Sequence, residues 1–357
     1  MARPNRSQEI QTALLRAAPL FPEKLVKVVS AQLGFSRAHI SAQVRQLVEE
    51  GYLLKNGTTR PHYELGPNRR FIRSFKTKGL SEDRVWSFEL APLLDGLPRN
   101  ILDIANYGVT EIINNALDHS DSETVFVYMN LSADRLSIAI ADEGVGIFRK
   151  ISTALNLPDD RLALLELSKG KLTTAPSLHS GEGIFFTSRV FDRFQIRSRG
   201  LFFDHLDGKE LDVLDELEEL DEAEVRDGTF VYMDIKRDST RLIKDVFDEF
   251  SSGPDDYNFA KTIVPVRLTK VGDENLVSRS QAKRLMQRVD RFRSVVLDFS
   301  GVSSIGQAFA DEIFRVFSNS HPEVEILHMN ASSEVQQMIR RAEVLRDEQG
   351  GQLPLLK

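Results

Sequence analysis

Within residues 7–51 apolar side chains recur every three or four positions, the period of a helix with one buried side. Ile10, Ala13 and Leu14 do so in 7–17, Leu25, Val28 and Val29 in 22–32, and Ile40, Val44, Leu47 and Val48 in the stretch after Ser36. Gly34 supplies the turn before the third helix. Ser36 is its expected N-cap, because a serine oxygen can accept from the free N–H groups of a first helical turn. Arg37, His39, Ser41 and Arg45 are left on the side away from the apolar stripe. The period then changes, and residues 52–65 read as a hairpin of two short β-prone runs around a tip at Asn56-Gly57.

A longer helix is predicted over 99–119, with Val109, Ile112, Ile113, Ala116 and Leu117 on one face. Two strands follow, ETVFVYMNL and RLSIAIAD, the second alternating Leu136, Ile138 and Ile140 with polar or small residues. Further strands are expected around 195–206 and 229–236. SSGPDDYN is turn-rich enough to mark a boundary. Beyond it strands and helices alternate three times, in the order TIVPVRL, SRSQAKRLMQRVDRF, SVVLDFS, QAFADEIFRVFSN, VEILHMN, SEVQQMIRRAEV. That alternation predicts a compact α/β layer.

Composition narrows the function classes. The 357 residues exceed one ordinary core, so several domains are expected. No apolar run is long enough to cross a bilayer, no secretory layout opens the chain, and a cytoplasmic location is the expectation. With no cysteine, disulfides, thiolate metal sites and cysteine nucleophiles are excluded. The net charge of −7 hides a division: residues 1–78 hold 14 Lys and Arg against 5 Asp and Glu, so +9 there leaves −16 for the rest. A basic end of this kind suits a polyanion, and it suits equally a solvated basic face with no partner. Residues 210–227 carry ten Asp and Glu and read as a solvated acidic insertion.

Candidate chemistry gathers in the middle. Glu111 and Asn115 stand one helical turn apart, with His119 a further turn on, so a carboxylate and a carboxamide can face one ligand together. The strand ending at Asp142 runs into Gly144-Val145-Gly146, which permits close backbone approach to a planar ligand. Gly181 and Gly183 open a helix, an arrangement suited to phosphate. Asp227-Gly228-Thr229 precedes another strand. Each signal is weak alone; their order is specific.

That order resembles the gyrase, chaperone, histidine-kinase and MutL (GHKL) ATPase superfamily, with EIINNALDHS as its N box, DEGVGI and SGEGIFF as its glycine boxes and GTFV as the last. The resemblance implies a Bergerat-type α/β sandwich over 95–238, with a mobile lid at 147–182 and the acidic insertion at 207–227. It implies ATP and Mg²⁺ as ligands, with Glu111 as general base and Asn115 as the Mg²⁺ ligand. Asp142 would take the adenine amino group with help from Thr229, and Gly144, Gly146, Gly181, Gly183 and His119 would line the nucleotide. Lys169 or Lys171 would reach the γ-phosphate. The segment GFSRAHISAQVRQLVEEGYL is similar to winged helix-turn-helix domains, placed at 1–66. In that likeness Arg37, His39, Ser41 and Arg45 face a DNA major groove, while Lys55, Thr58 and Arg60 meet phosphate. Residues 67–94 are expected as a basic linker and connector.

SVVLDFSGVSSIGQAFADEIFRVF is similar to STAS domains, the fold of anti-sigma-factor antagonists, placed at 258–345. Where those antagonists carry an Asp-Ser pair this chain has Gly306 and Gln307, so a binding or homodimerising role is expected rather than phosphorylation there, with Ser303 and Ser304 as loop residues. No histidine lies between His62 and His119, which argues against a conventional sensor histidine kinase. The anti-sigma serine kinases are the nearer likeness. The fold class is thus a multidomain α+β and α/β chain. The leading functional expectation is an ATP-binding transcriptional regulator whose nucleotide state controls DNA or partner binding, with slow ATP hydrolysis. A serine/threonine protein kinase and a non-hydrolysing nucleotide-binding scaffold are the alternatives.

Overall fold

A computed structural model of the chain describes residues 6–172, 181–206, 227–253, 256–271 and 274–350. By packing, the chain forms two units. The first comprises Met1–Gly144, Phe191–Phe194 and Gly228–Thr240, and the second Val145–Val190, Gln195–Asp227 and Arg241–Lys357. The acidic insertion at 207–226 and the lid residues 173–180 lie outside the described residues.

The first unit opens with α1 (Arg6–Ala17), α2 (Leu25–Leu33) and α3 (Arg37–Glu49), then the hairpin β1 (Leu53–Asn56) and β2 (His62–Leu65). Ile10, Leu14, Leu25, Val29, Ile40, Val44 and Leu47 meet in one core closed by Tyr52, Leu53 and Tyr63. Gly34 ends α2 at φ 74°, and the Ser36 side chain accepts the His39 N–H, as the turn chemistry predicts. The hairpin tip differs from expectation. Asn56 pairs with His62, so Asn56-Gly57 begins a wider loop and is not itself a two-residue turn.

The expected linker holds a strand. β3 (Arg69–Lys76) pairs antiparallel with β4 (Thr124–Leu131) along its whole length, from Arg69↔Leu131 to Lys76↔Thr124. α4 (Glu82–Val85) and short π and 3-10 turns over Trp86–Leu93 lead to α5 (Arg99–His119). β5 (Arg135–Asp142) pairs antiparallel with β4 and with β8 (Thr229–Lys236). α5 lays Ile101, Ile104, Val109, Ile112 and Ile113 on the face of this sheet that buries Val127, Met129, Ile138, Ile140 and Met233. Gly108 makes the approach close: a Cβ there would lie 2.5 Å from the Phe191 ring.

The three helices α1–α3 and the β1–β2 hairpin form an N-terminal head that is seated on this sheet and not tethered to it. Tyr52 donates its hydroxyl to Asn130 Oδ1 on β4 (2.9 Å), and Asn68 Nδ2 donates to the Glu50 carbonyl (2.9 Å). Arg16 from α1 and Arg73 from β3 both grip Glu89, and Arg16 lies over the Phe71 ring.

The second unit contains α6 (Ile147–Leu155), α7 (Leu162–Lys169) and α8 (Gly183–Val190), then the main part of β6 (Arg193–Ser198) and β7 (Leu201–Leu206). After α9 (Ile243–Glu249) the turn-rich boundary is a short hairpin, β9 (Ser251–Gly253) and β10 (Asp256–Phe259). The C-terminal layer is β11 (Lys261–Pro265), α10 (Arg279–Met286), β12 (Ser294–Asp298), α11 (Gln307–Asp311), α12 (Ser318–Ser320), β13 (Glu325–Met329) and α13 (Ser333–Gly350). Its three strands are parallel in the order β11-β12-β13, the topology that alternating strands and helices predict. Two expected elements are shorter than their apolar patterns. β11 gives way to a 3-10 turn at Val266–Thr269, and α10 stops before Arg288, which has φ 66°. Between α11 and α12, Glu312–Phe317 form a π-helical turn. Phe185 and Phe259 (ring centroids 4.4 Å apart), with Phe186 and Phe250, pack α8 and α9 against the β9–β10 hairpin that precedes this layer.

Candidate functional site

α5 brings Glu111 and Asn115 to the edge of its buried stripe, both half-buried, and His119 to its last turn. The buried Nδ2 of Asn115 has no hydrogen-bond partner. A dry, unpaired amide costs roughly 1–3 kcal/mol, so such a position suits a group that meets a ligand. Turning the amide by 180° puts Oδ1 in the same place, where it can meet a hard cation.

Asp142 ends β5 directly opposite Thr229, the first residue of β8. Its carboxylate accepts the N–H of Gly144 (2.9 Å) and that of Thr229. Burial raises its pKa, against the pull of those two donors. Two glycines make the cradle. A Cβ on Gly144 would sit 1.8 Å from the Ser120 carbonyl oxygen, and one on Gly228, at φ 100°, would sit 2.1 Å from that of Asp142. Ser120 caps α5, and Ser122 Oγ accepts the Glu143 N–H (3.2 Å). The turn after α5 is thereby fastened to the turn after β5, which ties Asp142 to the end of the helix that carries Asn115. Neither serine was among the expected site residues. Their only signal is a short polar run, DHSDSE, at a helix end.

The other glycines belong to the second unit. Gly146 starts α6 at φ 82°, and a Cβ there would lie 2.6 Å from Ser198 Oγ. Gly181, at φ 75°, accepts the Leu172 N–H at its carbonyl (2.9 Å) and runs so close to Leu172 that a Cβ would lie 2.4 Å from its carbonyl carbon. Gly183 is the first residue of α8, as expected. Beside it, burial raises the pKa of Glu182 and the Lys171 charge lowers it.

The two lysines expected near a γ-phosphate are engaged elsewhere. Lys169 is 1% exposed and pairs with Glu166 (2.7 Å), and Lys171 donates to the Arg291 carbonyl (3.0 Å). On the head, Arg37, His39 and Arg45 of α3 are exposed, as are Lys55 on β1 and Thr58 and Arg60 in the hairpin loop, while Ser41 is half-buried. Gly306 is the N-cap of α11 and Gln307 its first residue, and Ser303 and Ser304 lie in the exposed loop before it.

Comparison with known families agrees with this geometry at the level of domains. Residues 60–202 match the histidine kinase-like ATPase domain, and residues 281–336 match a STAS-like domain of unknown function. The first match takes in β3, and it ends before the strand that carries Thr229. No curated protein matches the chain. Among the described residues no helix is long and apolar enough to cross a membrane, and no cluster of three or more His, Asp or Glu is arranged for a metal ion. The chain therefore carries a GHKL-type ATPase domain, which implies nucleotide binding, together with a STAS-like domain. A donor set of one amide fits Mg²⁺, which keeps much of its shell as water and substrate phosphate and takes few protein ligands.

Proposed function

We propose that this chain is an ATP-binding regulator whose nucleotide state controls DNA binding by the N-terminal head or partner binding by the STAS-like domain. The observation that carries the nucleotide reading is the Asp142 cradle: a half-buried carboxylate anchored by two backbone N–H groups between glycines that admit no side chain. A carboxylate so placed accepts from an exocyclic amine and rejects a carbonyl in the same position, which selects adenine over guanine. Asn115 would hold the metal, and Thr229 would support Asp142. Gly144, Gly146, Gly181 and Gly183 would let main chain close on the nucleotide, with His119 beside it. Bound ATP–Mg²⁺ supplies a transferable γ-phosphoryl group whose charge the metal offsets. Glu111, one turn from Asn115, would take the proton of the attacking water or substrate hydroxyl.

DNA binding is supported by the +9 balance of residues 1–78 and by the exposure of Arg37, His39, Arg45, Lys55 and Arg60 around the third helix and hairpin. Arg37, Ser41 and Arg45 follow one another at helical spacing along one face.

The test is calorimetry of ATP–Mg²⁺ binding to wild type, Asp142→Ala and Asn115→Ala, followed by phosphate release from the same samples and from Glu111→Gln. Tight binding that both alanines abolish supports the site, and no binding by wild type sinks it. Release that Glu111→Gln removes marks an ATPase. Transfer of labelled phosphate to a protein partner, lost in the same variant, marks a kinase. A raised melting temperature with background release marks a scaffold.

A further inference from the structure

α7 is buried at all eight of its positions, although it falls in the stretch expected to be a mobile lid. It is covered by α6 and α8 and by the C-terminal layer. β11 and the turn at Val266–Thr269 pack along it, and Thr262 Oγ1 donates to the Lys169 carbonyl (2.7 Å). The Lys169 ammonium uses three acceptors: Glu166 Oε1 (2.7 Å), the Gln287 carbonyl (2.8 Å) and the Arg284 carbonyl (3.4 Å). Those two carbonyls stand at the C-terminal end of α10, where main-chain oxygens carry the negative end of the helix dipole; that of Arg284 also accepts the Gln287 N–H (3.4 Å). A lysine from the ATPase stretch thus caps a helix of the STAS-like domain.

The contact continues on both sides of that lysine. Glu166, 3% exposed, lies between Lys169 and Arg288, whose Nη1 is 3.9 Å away. Arg288 also donates Nη2 to the Lys171 carbonyl (2.9 Å). Lys171 returns a bond to the Arg291 carbonyl and sits over the Phe292 ring (4.8 Å). Lys171 and Arg288 both adopt positive φ, 50° and 66°, which side chains other than glycine rarely do. Gly170 passes so close to the Phe259 ring that a Cβ would lie 2.6 Å from it. Burying a Glu and a Lys beside a half-buried Arg costs solvation that is recovered only when all are paired at once. The arrangement therefore defines one docked position and penalises partial ones.

We infer that the STAS-like domain is a built-in latch on residues 162–172, holding them docked and thereby setting the affinity of the same chain for nucleotide. The consequence for affinity rests on the nucleotide reading above; the contact does not.

Hydrogen exchange across 162–172 and ATP–Mg²⁺ affinity, both on the full chain, test the inference. Arg288→Gly suits the positive φ while deleting both guanidinium contacts, and Lys169→Met keeps length while deleting the cap. The expected result is exchange at 162–172 at least tenfold faster in both variants, with β12 and α11 unchanged, and an ATP Kd shifted at least threefold. Unchanged exchange in folded Arg288→Gly overturns the latch, even if Lys169→Met unfolds. Faster exchange with an unchanged Kd overturns its regulatory role. If wild type binds no ATP, the nucleotide reading fails and takes that role with it, while exchange alone still decides the contact.

Discussion

A carboxylate half out of water stays charged only through what donates to it, and Asp142 has two backbone N–H groups for that purpose. Burial nevertheless raises its pKa, so it protonates at a higher pH than an ordinary aspartate near about 4. Two opposite pH effects follow. The folded apo state holds this proton more tightly than the unfolded chain, so the contribution of Asp142 to stability declines as pH rises through the raised value. If Asp142 holds the adenine amino group, as proposed, the charged form is the better acceptor, and affinity should fall as pH falls through the same window. Asp142→Asn should weaken ATP binding roughly ten- to hundredfold, the worth of about 1.5–3 kcal/mol for a hydrogen bond to a charged group, and flatten the affinity profile. Calorimetry between pH 5 and pH 8 checks both, and an unchanged Kd would remove Asp142 from the site. Gly228→Ala should cost about 1–3 kcal/mol by overpacking, because its Cβ would lie 2.1 Å from a main-chain oxygen; a melting temperature equal to wild type would contradict that packing. Asp142 and Gly144 were legible in the sequence because one contiguous motif spells them out, while Gly228 stands in a second one, Asp227-Gly228-Thr229. Ser120 and Ser122 were not, since their roles depend on a second turn approaching from elsewhere. Lys169 and Lys171 misled for a related reason: a lysine beside a glycine reads as a free cation until the element that covers it is known.

At the scale of elements, period carried the reading where burial was one-sided. α1, α3, α5 and the C-terminal alternation all follow apolar patterns that survive in the structure. β3 did not announce itself because RRFIRSFK is strongly basic and only Phe71 in it is buried. An edge strand pairs through main chain and can carry charge on its side chains, which is also how edges resist unwanted pairing. The head then follows as a seated module, since α1 packs on that edge strand. For its third helix and hairpin, two kinds of contact can be separated by salt. If Lys55 and Arg60 meet phosphate, replacing either by alanine should weaken binding to all sequences and lower the log–log salt slope by about one. If Arg37 reads a base, Arg37→Ala should cost about 1–3 kcal/mol and relax preference at one position. Titrations of short duplexes at several salt concentrations, using DNA selected from a random pool, distinguish them. A full set of variants indistinguishable from wild type would make the head a protein-docking module.

For the molecule as a regulator, the useful feature is that the head and Asp142 share one packing unit. Asn130, which receives the Tyr52 hydroxyl, lies on β4 opposite Ser137 of β5, the strand that ends at Asp142. Arg70 of β3, opposite Asn130, lies over the Tyr52 ring at 5.0 Å. A displacement of β5 by bound nucleotide therefore has a short path of paired strands to the base of the hairpin. Linkage makes the expected effect symmetric: if ATP–Mg²⁺ changes the DNA Kd by some factor, DNA must change the ATP Kd by the same factor, and a coupling of about 1–3 kcal/mol corresponds to roughly 5- to 150-fold. Tyr52→Phe removes the bond to Asn130 while leaving the ring, so it should draw that factor toward one without changing the ATP Kd measured in the absence of DNA. Four titrations on each protein, with each ligand alone and in the presence of the other, close the cycle. Equal DNA affinity in apo and ATP-loaded wild type would sink the coupling. A factor that Tyr52→Phe leaves intact would move its path to another contact, the first candidate being Glu89, which grips α1 through Arg16 and β3 through Arg73.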